Sequence, residues 1–399
     1  MDKDTKRIVL LTDVFPDLAG SEYRFLERHA FDIVVFTEKT VPPIPPGGEV
    51  VLFGPGTGNF RCMLKALWLL LVTGEVFVLF RFPARDIPRA AKTAVGWAMK
   101  AYHRERMIRR SGLAAGAGPV YSYWADSLAL TAIFLARKTG ARCITRMHGY
   151  DLYEERHAPA YLPFRRFVNR HMEKVVFISE HGRNYYARKY PAAAHKYEVN
   201  RLGTPAPSVR AEAESPGALH LVSCSYLVPV KRIHLLVDAL AVLSETVPFF
   251  WTHLGDGPLY DEIRDRVSRS GLSGRVRLAG GMDNAQVHAF YARHRADLFV
   301  NVSESEGLPV SIMEAMSYGI PAVATAVGGS PEIVEEGVNG FLLPADAGPR
   351  EIAEKIAGFA ALSVAEKTEM GQAAAATWKE RYSAEKNFRA FAGLLAALR

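Results

Sequence analysis

Cysteine is scarce in this chain, with only Cys62, Cys143 and Cys224 among 399 residues. Three scattered cysteines support neither a disulfide framework nor a zinc site, and they point to a reducing compartment. Long apolar runs are missing too. The longest, Ala66–Phe80, is interrupted by Thr73, Gly74 and Glu75. It falls short of the ~20 residues that span a bilayer and reads instead as a buried helix followed by a strand. The opening M-D-K-D-T-K-R-I-V-L-L-T-D mixes acids into its charged start, so it reads as a first strand and not as a signal peptide. The expectation is a cytoplasmic protein that is not integral to a membrane.

What is present describes an ordinary globular chain. Hydrophobic residues make up 49% and charged residues 23%, which leaves no room for extended disorder. A length of 399 residues exceeds what one core supports, so two domains of roughly 200 residues are expected. Lys and Arg number 49 against 42 Asp and Glu, a net charge of +7. The excess is concentrated between Arg81 and Arg110, where nine basic residues face only Asp86 and Glu105. With Trp97, Met99, Tyr102 and Ile108 interspersed, the segment reads either as a basic amphipathic helix for anionic lipid or a polyanion, or as a solvated helix face.

The first half alternates short apolar runs with helical stretches. Strands are predicted at Ile8–Leu11, Asp32–Phe36, Val50–Phe53, Val76–Phe80, Val120–Tyr123, Cys143–Met147 and Val175–Ile178. The second half repeats the pattern at Leu219–Cys224, Phe249–Leu254, Val276–Leu278, Leu298–Val302 and Ala322–Ala324. Helices are predicted around Ile233–Leu243, Leu259–Ser268 and Ala285–Ala292. This alternation predicts α/β domains with parallel sheets covered on both faces. Pro205–Gly217 is rich in Pro, Ala and Ser without periodicity and is the expected linker. It separates residues 1–204 from 218–380, and 381–399 is expected to return to the first domain as a helix.

Asn301–Pro344, N-V-S-E-S-E-G-L-P-V-S-I-M-E-A-M-S-Y-G-I-P-A-V-A-T-A-V-G-G-S-P-E-I-V-E-E-G-V-N-G-F-L-L-P, carries the densest chemistry. A short strand, a Gly-Leu-Pro turn and a helix start follow one another, which aims backbone N–H groups and a positive dipole end at whatever lies above the strand. Glu306 sits on the turn and Glu314 eight positions on. Carboxylates beside an anion site need hydroxyls to bind, which implies a sugar and a ribose joined to a diphosphate, in other words a nucleotide sugar.

This stretch resembles the donor site of retaining GT-B glycosyltransferases, family four in particular, with its Glu-x7-Glu element and the G-I-P-A-V-A-T and G-G-S-P-E-I-V segments. The resemblance implies a GT-B fold, two Rossmann-like domains facing each other across a cleft, with the acceptor on the N-terminal domain and the donor on the C-terminal one. It implies that Glu306 orients the donor sugar, that Glu314 holds the ribose hydroxyls, and that Gly307, Leu308, Pro309, Val310 and Ser311 meet sugar and diphosphate. S-Y-L-V-P-V-K-R resembles the family's G-R-L-x-x-x-K-G and puts Lys231 on the diphosphate. Tyr226 and Ser225 depart from that pattern by replacing its arginine and glycine. Tyr226 then donates a hydrogen bond to the phosphates, Arg232 swings in, or activity is weakened.

Other segments resemble the family less densely. R-M-H-G-Y-D places His148 beside the reacting face. Gly20 and Ser21 form either a plain turn or a loop that approaches phosphate or sugar. L-G-D-G-P places Gly255 and Asp256 beneath the nucleotide, mainly as a tight turn, and Gly281 and Met282 flank the base. Y-S-Y-W-A-D with Asp126, and Asp151 further on, make Tyr123, Trp124 and Asp151 a candidate acceptor surface, with buried packing an equal account of the aromatics.

The expected activity is a retaining, hexosyltransferase-type transfer (class 2.4) from a nucleoside-diphosphate donor to a glycan or lipid-linked hydroxyl in cell-surface polysaccharide synthesis. No cofactor or metal is expected, because GT-B relatives generally meet the phosphate charge with fixed protein groups. The expected partners are the donor, the acceptor and an anionic inner membrane surface touched through 81–110, with no nucleic acid. The alternatives are a GT-B sugar-nucleotide epimerase and a non-catalytic protein that binds polyanions or membranes.

Overall fold

The computed structural model describes residues 6–15, 19–29, 31–40, 49–53, 59–116, 118–207 and 217–398. Its contacts divide into two compact units, Met1–Arg201 with Phe388–Arg399, and Leu202–Asn387. Of the linker expected at Pro205–Gly217, residues 208–216 lie outside the described residues.

The first unit is built on a seven-stranded parallel sheet: β1 (Lys6–Phe15), β2 (Phe31–Thr40), β3 (Glu49–Leu52), β4 (Val120–Ser122), β5 (Cys143–Met147), β6 (Lys174–Phe177) and β7 (Tyr197–Val199). The order β3-β2-β1-β4-β5-β6-β7 reverses direction between β1 and β4. Ile8 to Thr12 are buried one after another, as in a strand covered on both faces. Its helices are α1 (Ala19–Arg28), α2 (Phe60–Val72), α3 (Glu75–Leu79), α4 (Ile87–Ser111), α5 (Ser127–Thr139), α6 (Arg165–His171) and α7 (Glu180–Lys189). Helix α5 starts where the Asp126 carboxylate accepts from the Leu128 N–H and stops at Gly140, φ 75°.

The second unit holds a six-stranded sheet: β8 (Leu219–Cys224), β9 (Phe249–Leu254), β10 (Val276–Leu278), β11 (Leu298–Asn301), β12 (Ala322–Thr325) and β13 (Gly340–Leu343). The order β10-β9-β8-β11-β12-β13 is again parallel and reverses between β8 and β11. Its helices are α8 (Ile233–Leu243), α9 (Tyr260–Arg269), α10 (Asn284–Arg293), α11 (Val310–Ser317), α12 (Ser330–Ile333), α13 (Pro349–Ala361) and α14 (Val364–Arg381). A last helix, α15 (Ala384–Ala397), and Leu398 just past it bring Phe391, Leu395 and Leu398 into a core cluster with Tyr121 and Tyr123 of the first unit.

Two expectations are corrected. Val76–Phe80 is not a strand but the short helix α3. The turn at Gly74, φ 73°, is followed by burial of Glu75 and Leu79, four positions apart, which is the helical period. The helix expected to be buried at Ala66 is buried on one side only: Cys62, Ala66, Leu69 and Leu70 face the core, while Trp68 and Leu71 are 61% and 62% exposed.

The basic segment does form a helix, α4, but the side formed by Ala90, Ala94, Ala98, Ala101 and Ile108 is buried. Val95, Trp97, Met99 and Tyr102 pack against the same core. Arg104 is turned inward as well, donating to Ser127 Oγ at 2.9 Å and pairing with Glu38.

Candidate functional site

In open parallel sheets the loops at the reversal of strand order leave a crevice above the strand ends. In the second unit these loops follow β8 and β11, and they are tied together. Glu304 N–H donates to the Val230 carbonyl at 2.8 Å. Arg232, with φ 49°, donates to the carbonyls of Val302 at 2.7 Å and Ser303 at 3.3 Å. Arg232 therefore holds the loop and is not swung toward a ligand, and Tyr226 is exposed beside it.

Lys231 and Glu306 meet at this seam, with Nζ 2.6 Å from Oε1. Asn301 Nδ2 donates to the same oxygen at 3.3 Å. Burial works to raise the Glu306 pKa, but the charge of Lys231 and hydrogen bonds from Lys231, Ser303 and Asn301 outweigh it, and the carboxyl lies below its ordinary value. Glu306 is thus held ionised.

The turn around Glu306 leaves no spare space. A Cβ at Gly328, φ 53°, would sit 1.9 Å from the Glu306 carbonyl oxygen, and Gly329 N–H donates to the Gly307 carbonyl at 3.0 Å. Leu308 and Pro309 are buried, while Val310 and Ser311 are half-buried in the first turn of α11. Glu314, on the same helix, is buried and accepts from Asn284 Nδ2 at the start of α10. Burial pushes its carboxyl up to about 7.

The remaining expected residues line the neighbouring strand ends. The Gly255 N–H donates to Gly280 O at 2.9 Å, and Leu227 N–H donates to Asp256 O at 2.7 Å, so the G-D-G turn packs against the loop after β8. At Gly255, φ 149°, a Cβ would meet the Ser225 carbonyl at 1.9 Å. Asp256 and Gly281 are exposed and Met282 is half-buried.

The first unit has a matching arrangement where its own strand order reverses. A cavity of about 550 Å³ is lined by Asp13, Trp97, Tyr123, Trp124, Asp126 and Tyr150 among others. His148, buried at the end of β5, lies 4.7 Å from the Tyr123 ring and 4.3 Å from the Trp124 ring. Asp151 is buried and spends both oxygens on the backbone, taking the N–H of His148 and of Ala125 at 2.8 Å each. Its oxygen is 3.9 Å from His148 Nδ1, too far for a hydrogen bond. Asp151 positions the loops that carry Tyr123, Trp124 and His148. Gly20 and Ser21 form part of the first turn of α1, Gly20 buried and Ser21 half-buried.

Sequence reasoning missed Asp13, whose carboxyl is pushed up to about 7 by burial and by Asp126, against the pull of Arg104. The change from apolar to polar residues at L-L-T-D, two residues past the predicted run and still within β1, was the available signal. Asn284 was also missed, although Asp283 before it is a clear helix-capping residue. Arg146 gave none, since an arginine inside an apolar strand looks like an edge residue. It is fully buried against Glu22 and donates to Asn200 Oδ1 at 2.7 Å.

Among the described residues no group of three or more His, Cys, Asp or Glu side chains is gathered as a metal would require, nor is any helix long and apolar enough to cross a membrane.

Residues 209–377 match the family Glycosyl transferases group 1. The chain is 29% identical over 269 residues to WcaL of Escherichia coli strain K12, named as a colanic acid biosynthesis glycosyltransferase, covering 64% of this chain and 64% of that protein. It is 29% identical over 248 residues to a GDP-mannose-dependent alpha-(1-6)-phosphatidylinositol monomannoside mannosyltransferase of Mycolicibacterium smegmatis, covering 57% of this chain and 64% of that protein. Anabaena HepE, solved with UDP-glucose, superposes with a TM-score of 0.69 over 98% of this chain and 99% of that one, at 18% identity.

The second unit therefore carries a group 1 glycosyltransferase domain, and the fold is GT-B, with two parallel α/β domains. The GT-B fold expected from Asn301–Pro344 is borne out, and the family match covers that segment. The chain spans just under two thirds of the length of WcaL and of the mannosyltransferase.

Proposed function

We propose that this protein is a retaining glycosyltransferase of the hexosyltransferase class that moves a sugar from a nucleoside diphosphate to a hydroxyl of a glycan or lipid-linked acceptor. The observation that carries the reading is the Lys231–Glu306 pair, 2.6 Å apart at the strand-order reversal of the second unit, with Glu314 further along the helix that opens there. Relatives named for colanic acid biosynthesis and for GDP-mannose-dependent transfer to a phosphatidylinositol mannoside support cell-surface polysaccharide or glycolipid synthesis.

In this reading the bond from the anomeric carbon to the diphosphate breaks and a bond to the acceptor oxygen forms on the same face. The acceptor's proton leaves to the departing phosphate oxygen. Lys231 and the N–H groups at the start of α11 meet the negative charge that gathers on the diphosphate. Glu306, kept ionised, takes hydroxyls of the donor sugar, and Glu314 takes those of the ribose. No metal is required. The cavity of the first unit receives the acceptor, whose ring stacks on Trp124 or Tyr123 and whose hydroxyls reach Asp13 and Asp126, with His148 as a further substrate contact. The setting is a membrane surface on the cytoplasmic side, toward which the exposed cations of the 81–110 segment, such as Arg81, Arg85 and Arg89, contribute attraction.

The test is thermal-shift and turnover screening against UDP-, GDP-, ADP- and dTDP-sugars on the wild type and on Glu314→Ala, with and without chelator. Stabilisation by one nucleotide series that the variant loses is expected. Stabilisation by none overturns the reading, and conversion of the donor sugar without any acceptor would favour the epimerase.

A further inference from the structure

Helix α2, F-R-C-M-L-K-A-L-W-L-L-L-V, is apolar nearly all round, yet only one side of it is packed. Such a helix normally lies inside a core. Here Phe60, Leu64, Leu67, Trp68, Leu71 and Val72 all stand 45% or more exposed. The short α3 and the residue after it extend the patch with Phe77 and Phe80, at 70% and 71%. So many large apolar side chains in 21 residues of one face mark a contact surface.

The charges around the patch are of one sign. Arg61 and Lys65 are the charged residues of α2, and both are exposed. Glu75 of α3 is turned away, buried against Tyr161 Oη at 2.5 Å. Beside α2 opens a cavity of about 840 Å³ with an apolar floor that includes Trp68, Phe134 and Phe167. Lys65, Arg137, Lys138, Arg166 and Arg170 stand around it. Its acid, Glu105, is bonded to Arg109 at 3.0 Å. His171, at the same cavity, has its pKa lowered by burial and by the charges of Arg137, Arg170 and Lys196, against a hydrogen bond to Phe167.

We propose that α2 and α3 are a membrane-docking face that lies in the plane of a bilayer containing anionic lipids, with the neighbouring cavity taking a lipid phosphate. Leu67, Trp68 and Leu71 enter the boundary between headgroups and acyl chains. Arg61 and Lys65 reach back to the phosphates along their aliphatic stems. Tryptophan is favoured at that depth. A lipid phosphate in the cavity meets several cations while its acyl chain lies on the Trp68–Phe134 floor. Thirteen residues are too short to cross the ~30 Å hydrocarbon layer, so the helix lies on the membrane and does not span it.

A second copy of this chain is a poorer occupant. A two-fold contact sets the same patch against itself, which would gather the exposed Arg61 and Lys65 of both copies into one interface. The assignment also moves the lipid contact away from α4, whose apolar residues are spent on the core. It rests on the membrane setting of the proposed function and not on the transfer chemistry.

Flotation of the full chain with phosphatidylcholine vesicles, with and without phosphatidylglycerol, tests it. The wild type is expected to float with the anionic vesicles, to be released by salt, and to shift its tryptophan emission to the blue. Leu67→Ser/Trp68→Ser/Leu71→Ser should abolish flotation and the shift, while its melting temperature and donor turnover hold because the side chains are exposed. Arg137→Gln/Lys138→Gln/Arg166→Gln/Arg170→Gln should lose the preference for the anionic vesicles. The proposal is overturned by wild type that floats with neither vesicle, by variants that float unchanged, or by a dimer in size-exclusion chromatography that the triple variant dissolves. Loss of donor turnover in a wild type that still floats would count against the transferase reading alone.

Discussion

Lys231 Nζ lies 2.6 Å from Glu306 Oε1, joining the loop after β8 to the loop after β11. The residues are 75 positions apart in sequence, and the parallel sheet brings their loops side by side. The ammonium neutralises a buried carboxylate at the seam of the two loops, and the carboxylate in turn is kept charged by it.

Replacing Lys231 by Met should lower turnover of the identified donor by roughly 10²-fold, the loss seen when one fixed charge-stabilising donor is removed. It also changes the response to pH. A depressed carboxyl pKa stabilises the fold above the unfolded value, ordinarily 4.5, and this is lost as pH falls through the folded value. The variant should lose stability at higher pH than the wild type, as read by melting temperature across an acid series. Combined with Glu306→Gln the two effects should not add, since the residues share one interaction.

Glu314 titrates in the opposite direction. Burial lifts its carboxyl from 4.5 to about 7, so the folded state keeps a proton that the unfolded chain has released. The associated stability is fully present below 4.5 and is lost as pH rises toward about 7. Glu314→Gln should flatten the melting temperature across that window and raise it above the wild type on the alkaline side. If the ionised form accepts the ribose hydroxyls, nucleotide affinity rises with pH through the same window in the wild type and not in the variant. Calorimetric titration of the matching nucleoside diphosphate reads both curves.

Gly328→Ala should destabilise the protein by more than the ~1 kcal/mol that a left-handed conformation ordinarily costs an alanine. The added methyl cannot be accommodated 1.9 Å from the Glu306 carbonyl oxygen unless the turn moves. Donor binding should fall with stability. Gly337→Ala is the control: its φ is 74° but no atom lies within 4 Å of its added Cβ, so only the conformational cost remains. Denaturant melts of the two variants give the comparison.

Arg146→Met strands Glu22, which is 2% exposed, without its partner. A loss of about 3–5 kcal/mol is expected on breaking a buried pair from one side. Glu22→Leu/Arg146→Met should recover part of it, because no uncompensated charge is left. The same arginine lies 4.1 Å from the Phe391 ring, so the single variant should also loosen α15, which hydrogen exchange at residues 388–398 would report.

The sheet strands that sequence made legible are those with continuous apolar runs. β8 and β9 coincide with the predicted Leu219–Cys224 and Phe249–Leu254: the apolar residues dominate each run, and its polar members are tolerated because Ser223 and His253 hydrogen-bond each other at 2.8 Å. β7, Y-E-V, and β13, G-F-L-L, were missed: a charged residue at the centre of one and a glycine at the head of the other hide the apolar run, and their strand state comes from the neighbour they pair with. Val76–Phe80 failed for the converse reason, as a β-branched run that has no sheet edge to join and closes into a helical turn.

In the site, Lys231, Glu306 and Glu314 were legible because chemistry, turn and helix start coincide in a few positions. Arg104, Arg146 and Asp13 were not, because what defines them is distant partners such as Glu38, Glu22 and Asp126. The outward face of α2 was misread for a related reason. Hydropathy measures the preference of a side chain for an apolar medium and does not say whether that medium is the protein.

Helix α15 and the residue after it give the first unit Phe391, Leu395 and Leu398, residues made after the whole of the second unit. On the ribosome the first unit therefore waits with part of its core uncovered while some 190 residues, 202–387, are synthesised and become free to fold. The second unit, whose segments are contiguous, can mature first. Vectorial synthesis thus reverses the order expected from the sequence: the unit made earlier completes its core later.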